Sequence, residues 1–360
     1  MAISSTTSAV QAIFALHVAT AGCAFLLLSA AGLLLTVQLA VGPGRPKIFQ
    51  KFTKSATPKH SSLPTHLFLM AGLSTLIVAY ATQAAIVALQ SSINSPFYIT
   101  SAYAYPSYTT PTDTSPSTQY AKNISILSFL YQAANILLNT AIVGAIWIHA
   151  NHLQNNGTGI REPGMLSWVW NAFWMTAILG IGFASWAVGL ARRGSGNTAL
   201  AYPTLIAQNH IVRSLYVAYV CVIIAASTSS TLEAVLCWLG IRANGVAGSR
   251  SKSALTRFVF LVTPIVWVRN AFSVAQIVII YYNENAWSRT TNQALAFLFI
   301  IFGELSNLGI LALVLLGAWS FGMKSDSSPT VVKEGREPNR SSYGDNSSYV
   351  DGIPTHDTTI

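Results

Sequence analysis

Three charged side chains stand out deep inside long apolar runs of this chain: Glu233, Arg269 and Glu304. Charge in a bilayer interior is costly, and such groups turn toward the inside of a helix bundle. At 1.5 Å per residue, Arg269 and Glu304 both fall about 15–17 Å deep in their runs, near the middle of a hydrocarbon core. They sit on consecutive runs joined by a short loop, and consecutive elements are usually neighbours. An Arg269–Glu304 pair is therefore expected. An acid in such surroundings can hold a proton and deliver it to a substrate. Glu233 has no arginine nearby in sequence, so it is the better candidate for a proton-donating acid. Glu304 is the second, with Arg269 to orient or tune it.

Neutral polar residues accompany these groups at helical spacing. Arg269, Ser273 and Gln276 are spaced four and three apart and share one helix face. Glu304 and Asn307 are three apart. Gln132, Asn135 and Asn139 form a third stripe, spaced three and four. Interhelical polar contacts of this kind hold membrane helices together at about 0.6–2 kcal/mol each. They can equally line a binding chamber. Trp267 lies deep and two residues before Arg269. An aromatic face stabilises a cation through its quadrupole, so Trp267 joins the candidate substrate-binding set. Trp168, Trp170 and Trp174 cluster at the start of their run and suit an interfacial belt. His149 and His152 form a single HxxH at the end of a run and read as solvated interfacial histidines rather than metal ligands.

The elements that position these residues follow from composition. Of 360 residues, 52% are hydrophobic and 9% charged, with mean hydropathy +0.48. Soluble domains carry about 25% charged residues, so most of this surface must face lipid. A lipid-facing backbone must satisfy its polar groups internally, which makes long apolar runs helices. Seven runs reach the required length of about 20 residues. They are Ile13–Ala40, Leu67–Leu89, Ile124–Ala150, Met165–Ala191, Ile211–Ile241, Phe258–Tyr282 and Ala294–Phe321. The expected architecture is an all-α transmembrane bundle over 1–322, followed by a polar, disordered cytosolic tail over 323–360. Pro264 is expected to kink the sixth helix.

Basic residues set the orientation. Fourteen of the 20 lysines and arginines fall in the odd loops and the tail, against four in the remaining loops. That places the N-terminus outside and the C-terminus in the cytosol. The net charge of +9 then reports topology rather than a nucleic-acid partner. The second loop lies outside, and Asn123-Ile124-Ser125 at its end is a glycosylation sequon. The three cysteines, Cys23, Cys221 and Cys237, are all inside apolar runs and read as small apolar residues. The membrane is expected to be the endoplasmic reticulum or the plasma membrane.

Several activities lose their residues. No run contains a lysine for a retinal Schiff base, and the third run ends in Trp147-Ile148-His149-Ala150 rather than an acidic-Arg-Tyr triplet. No phosphate-binding glycine loop is present. Aspartate is confined to Asp113 and the tail, which removes aspartate-rich diphosphate–magnesium motifs. Chemistry here is expected to be driven by a proton, with no cofactor. The expected partners are the bilayer and a lipophilic small molecule.

The stretch Pro264-Ile265-Val266-Trp267-Val268-Arg269-Asn270-Ala271-Phe272 resembles the Arg-x-x-Phe helix of the fungal lipid-translocating exporters. Their acidic residue a turn later is replaced, with Gln276 the nearest polar substitute. In helix count, buried acids and aromatic content the chain also resembles the membrane-integral terpene cyclases of fungal biosynthetic clusters. That second resemblance implies protonation of an epoxide or alkene of a farnesylated precursor. The functional expectation is a membrane-embedded isoprenoid cyclase of secondary metabolism. A lipid or drug exporter and a seven-helix receptor are the alternatives.

Overall fold

A computed structural model describes residues 7–41, 63–92, 116–158, 165–194, 202–244, 249–282 and 289–322. All of these except Thr7 are helical. In chain order the elements are α1 (Ser8–Val41), α2 (Leu63–Ser92), α3 (Pro116–Thr158), α4 (Met165–Gly194), α5 (Tyr202–Asn244), α6 (Ser249–Tyr282), α7 (Arg289–Phe299) and α8 (Leu305–Gly322). A π-helical turn, Ile300–Glu304, joins α7 to α8, with the Leu305 N–H bonded to the Ile300 carbonyl. Seven stretches are long and apolar enough to cross a membrane, the seventh running from Gln293 to Ala318 through the π turn. The chain is therefore an integral, multi-pass helical membrane protein. The chain divides at Met323, and the unit Lys324–Ile360 lies outside the described residues. The tail expected to be disordered falls there, as does the second loop from 93 to 115. The sequon asparagine, Asn123, is exposed near the start of the third span.

Burial identifies the centre. The most apolar window of the third span is 67% buried inside the protein, against 17% for the first and the fourth. Helix α3 accordingly packs against α2, α4, α5, α6 and α8. The first helix leans on α2 and on α7, the π turn and α8, and α4 leans on α3 and α5. Peripheral helices leave apolar side chains exposed, among them Phe25, Leu26 and Leu33 on α1. In a membrane protein that surface meets lipid rather than water.

Two apolar clusters fill the interior. The larger joins α1, α2, α3, α5, α6 and α8 through residues such as Leu69, Leu73, Ile142, Ile146, Val262 and Leu311. The smaller joins α3, α4, α5 and α6 around Ile136, Ile178, Tyr219 and Ile223. His149 belongs with the interior. It is fully buried, with its ring 4.9 Å from that of Phe258, so the solvated-histidine expectation is corrected. Its helix is the central one, and Ile146, Trp147 and Ala150 around it are buried as well. Helix α6 continues through Pro264, which removes the backbone donor that the Phe260 carbonyl would otherwise receive.

Close approach of α4 to α3 and α5 depends on Gly182. A methyl group there would come within 2.9 Å of the Ile136 and Tyr219 side chains. Gly180, on the same helix, has nothing within 4 Å of the equivalent point. Overpacking a filled interior costs about 1–3 kcal/mol. Gly182→Leu should therefore lower the unfolding temperature of the detergent-solubilised protein, while Gly180→Leu leaves it near the parent. Equal behaviour of the two variants would contradict this packing.

Candidate ligand-binding site

Polar side chains from several helices converge on one cavity of about 70 Å³. From α3 come Tyr131, Asn135 and Asn139, each four residues after the last, so they form one stripe. From α6 come Arg269, Phe272, Ser273 and Gln276, again on one face. Helix α5 adds Tyr216, Tyr219, Val220 and Ile223. Tyr80 enters from α2, and Phe299, Gly303 and Asn307 come from the seventh span.

Arg269 is the one charged residue on this wall. It is 6% exposed. One guanidinium nitrogen, Nη2, donates to Oδ1 of Asn139, and the other, Nη1, is buried without a hydrogen-bond partner. The Asn139 amide is itself held in place. Its Nδ2 donates to the Asn135 carbonyl at 2.9 Å and to the Tyr219 hydroxyl at 3.0 Å. The Tyr80 and Tyr219 hydroxyls both lie within electrostatic reach of the guanidinium. On the opposite wall Asn307 Nδ2 donates to the Tyr80 hydroxyl at 3.2 Å. The side-chain oxygen of Asn307 is buried without a partner.

Glu304 does not neutralise Arg269. Both of its carboxyl oxygens lie 2.9 Å from Nδ1 of His17 on α1. His17 is 3% exposed and Glu304 fully buried. The expected Arg269–Glu304 pair is corrected accordingly. The π turn ends at Glu304, and α1 packs against this segment. Glu304 therefore faces α1, while Gly303 and Asn307 face the cavity. Tyr80 lies between the two polar groups, within electrostatic reach of both Glu304 and Arg269.

Glu233 stands apart. It is half-buried between α4 and α5. Its oxygens accept from Ser167 Oγ at 3.2 Å and from Asn171 Nδ2 at 2.9 Å. Measured along the spans, Glu233 lies about 10 Å closer than Arg269 to the end of the bundle where α6 begins. The structure thus divides the three expected catalytic groups. Only Arg269 reaches the cavity. Glu304 is one layer behind it, and Glu233 belongs to another polar cluster.

The expected substrate-binding residues divide too. Asn135, Asn139, Gln276 and Asn307 line the cavity. Gln132 does not, because it is one position, or about 100°, around the helix from Tyr131. Trp267 is 59% exposed and faces away from the cavity. Two residues turn a helix by about 200°, so an inward Arg269 sends Trp267 toward lipid. The tyrosines were not anticipated. Tyr131 extends the Asn135–Asn139 stripe by one turn, and Tyr216 and Tyr219 are spaced three apart, so their periodicity is a usable signal. His17 carries a weaker one, as the sole histidine in a first run without acids, lysines or arginines.

Compared with protein-family models, curated proteins and solved structures, the chain has no match.

The His17–Glu304 pair invites a direct test. Removing one partner of a buried pair costs about 3–5 kcal/mol, whereas replacing both by apolar residues is often near neutral. His17→Leu alone should therefore destabilise the protein in mixed micelles. Combining it with Glu304→Leu should recover much of the loss. A double variant that is as unstable as both losses added would show that the two residues do not act on each other.

Proposed function

We propose that the chain is a seven-helix membrane receptor that takes a small ligand into its cavity from one face. The observation that carries this reading is a polar pocket above an apolar floor. The polar wall, from Tyr131 and Gln276 down to Arg269 and Asn139, occupies the half of the bundle where α3 and α5 begin. Below it, the buried side chains of Leu73, Ile142, Val262, Leu311 and Val314 pack into one cluster. A pocket closed at its base suits a ligand that enters and leaves on the same side. An exporter needs a path to both faces. By the charge rule the half that holds the polar wall faces outside, and the basic segments face the cytosol, where a receptor would couple. The plasma membrane is the compartment consistent with that role.

The isoprenoid cyclase is the second reading, and Tyr80 favours it. Its hydroxyl lines the cavity and lies within electrostatic reach of Glu304, the buried acid behind it. In that reading Tyr80 would pass a proton to the substrate and Glu304 would restore it. The cavity would also have to widen to hold a farnesyl chain. Incubating membranes with an epoxyfarnesyl compound separates the readings. The receptor forms no cyclised product, and the cyclase forms one that Glu304→Gln abolishes.

Accessibility tests the receptor reading itself. A cysteine placed at Gln276, on the half-buried part of the wall, should react with a membrane-impermeant thiol reagent from the outer face only. A cysteine at Val262, in the apolar floor, should react from neither face. Labelling of Gln276→Cys from both faces would mean a through-path and would overturn the reading.

A further inference from the structure

The geometry points to a small organic monocarboxylate as the occupant of this cavity, bound through Arg269. This inference rests on the one-sided pocket proposed above and names what enters it.

The charge count comes first. The described residues contain two acids, Glu233 and Glu304. Glu233 is held by Ser167 and Asn171 away from the cavity, and Glu304 is held by His17. Arg269 is thus a buried cation on a wall that is otherwise neutral. Its Nη1 is buried without a hydrogen-bond partner. An unmatched charge in low dielectric is costly, and a guanidinium cannot give up its proton to escape that cost. A single negative charge removes the imbalance. A dianion such as phosphate would leave one negative charge over, with no second cation on the wall to meet it.

Donor geometry supports a carboxylate. One side of the guanidinium fork is occupied by Asn139, which leaves Nη1 to approach one carboxylate oxygen. The amide of Gln276 lies on the same helix face and can donate to the second oxygen, while the Ser273 hydroxyl is already donated to the Arg269 carbonyl at 3.0 Å. Phe272, Phe299, Val220 and Ile223 supply apolar wall for a short carbon chain or a ring. Size sets the upper limit. One water needs about 10–15 Å³ on this measure, so about 70 Å³ holds roughly five water-sized positions. A carboxylate of few carbons fits that space, and a long-chain fatty acid does not.

The experiment uses the full chain in lipid nanodiscs, with sodium butyrate and sodium benzoate as probes. Sodium phosphate and sodium chloride at matched ionic strength are the comparisons. Butyrate or benzoate should raise the unfolding temperature saturably, and phosphate and chloride should not. Arg269→Gln should abolish the response, and Arg269→Lys should retain part of it. In the parent background, Asn135→Cys, half-buried on the α3 side of the cavity, reports occupancy without touching Arg269 or Gln276. At about ten times its Kd, the carboxylate should slow outer-face labelling about tenfold. An equal response to chloride would overturn the assignment, because a bare anion site would explain it. So would labelling from the outer face that neither carboxylate slows, which would leave the pocket standing with a different ligand. Absence of outer-face labelling together with absence of any thermal shift would instead remove the pocket itself, and this inference with it.

Discussion

The structure turns on one constraint: a guanidinium sits midway through an apolar bundle, and no carboxylate among the described residues meets it. Arg269 keeps its charge in any surroundings, so its neighbours must accept hydrogen bonds or tolerate the field. Asn139 does the first, and it is braced by its own helix and by Tyr219. This bracing draws α3, α5 and α6 together at one depth. Tyr80 and Asn307 close the ring from α2 and α8. The polar layer is a design of neutral amides and hydroxyls around one cation. Such a layer is poised for an anion that the chain does not itself supply.

The second buried pair shows why the cation remains unmatched. His17 and Glu304 meet across α1 and the π turn, joined by one hydrogen bond between Nδ1 and Oε2. Both carboxyl oxygens of Glu304 are turned to His17, and neither makes a hydrogen bond or ion pair with Arg269. The same contact fastens α1, one of the two least covered spans, to the bundle. Its polar anchor lies within an otherwise apolar interface that includes Ile13 and Ile300. The pair thus serves the fold while keeping an acid out of the cavity wall.

Much of the architecture was legible because membrane helices are set by length and apolarity alone. The fourth run, Met165–Ala191, coincides with the span found there. The polar stripes were legible by the same periodicity, and Arg269, Ser273 and Gln276 do share the cavity face. Partner choice was not legible. It depends on helix rotation, and a π turn ending at Glu304 alters the register of the seventh span. His17 lies 287 residues from Glu304, and no local pattern joins them. Trp267 was misplaced for a different reason. Its offset of two from Arg269 implies the opposite face, and aromatic chemistry alone carries no information about which face a side chain takes.

Double-mutant cycles in mixed micelles test most directly how Arg269 is held. Arg269 would be paired with Asn139 in one cycle and with Glu304 in the other, each replaced by alanine. The account predicts a coupling of about 1 kcal/mol or more for Arg269 with Asn139, and less than about 0.5 kcal/mol for Arg269 with Glu304. A stronger coupling to Glu304 than to Asn139 would mean that the acid neutralises the arginine after all, and the unmatched cation would be gone.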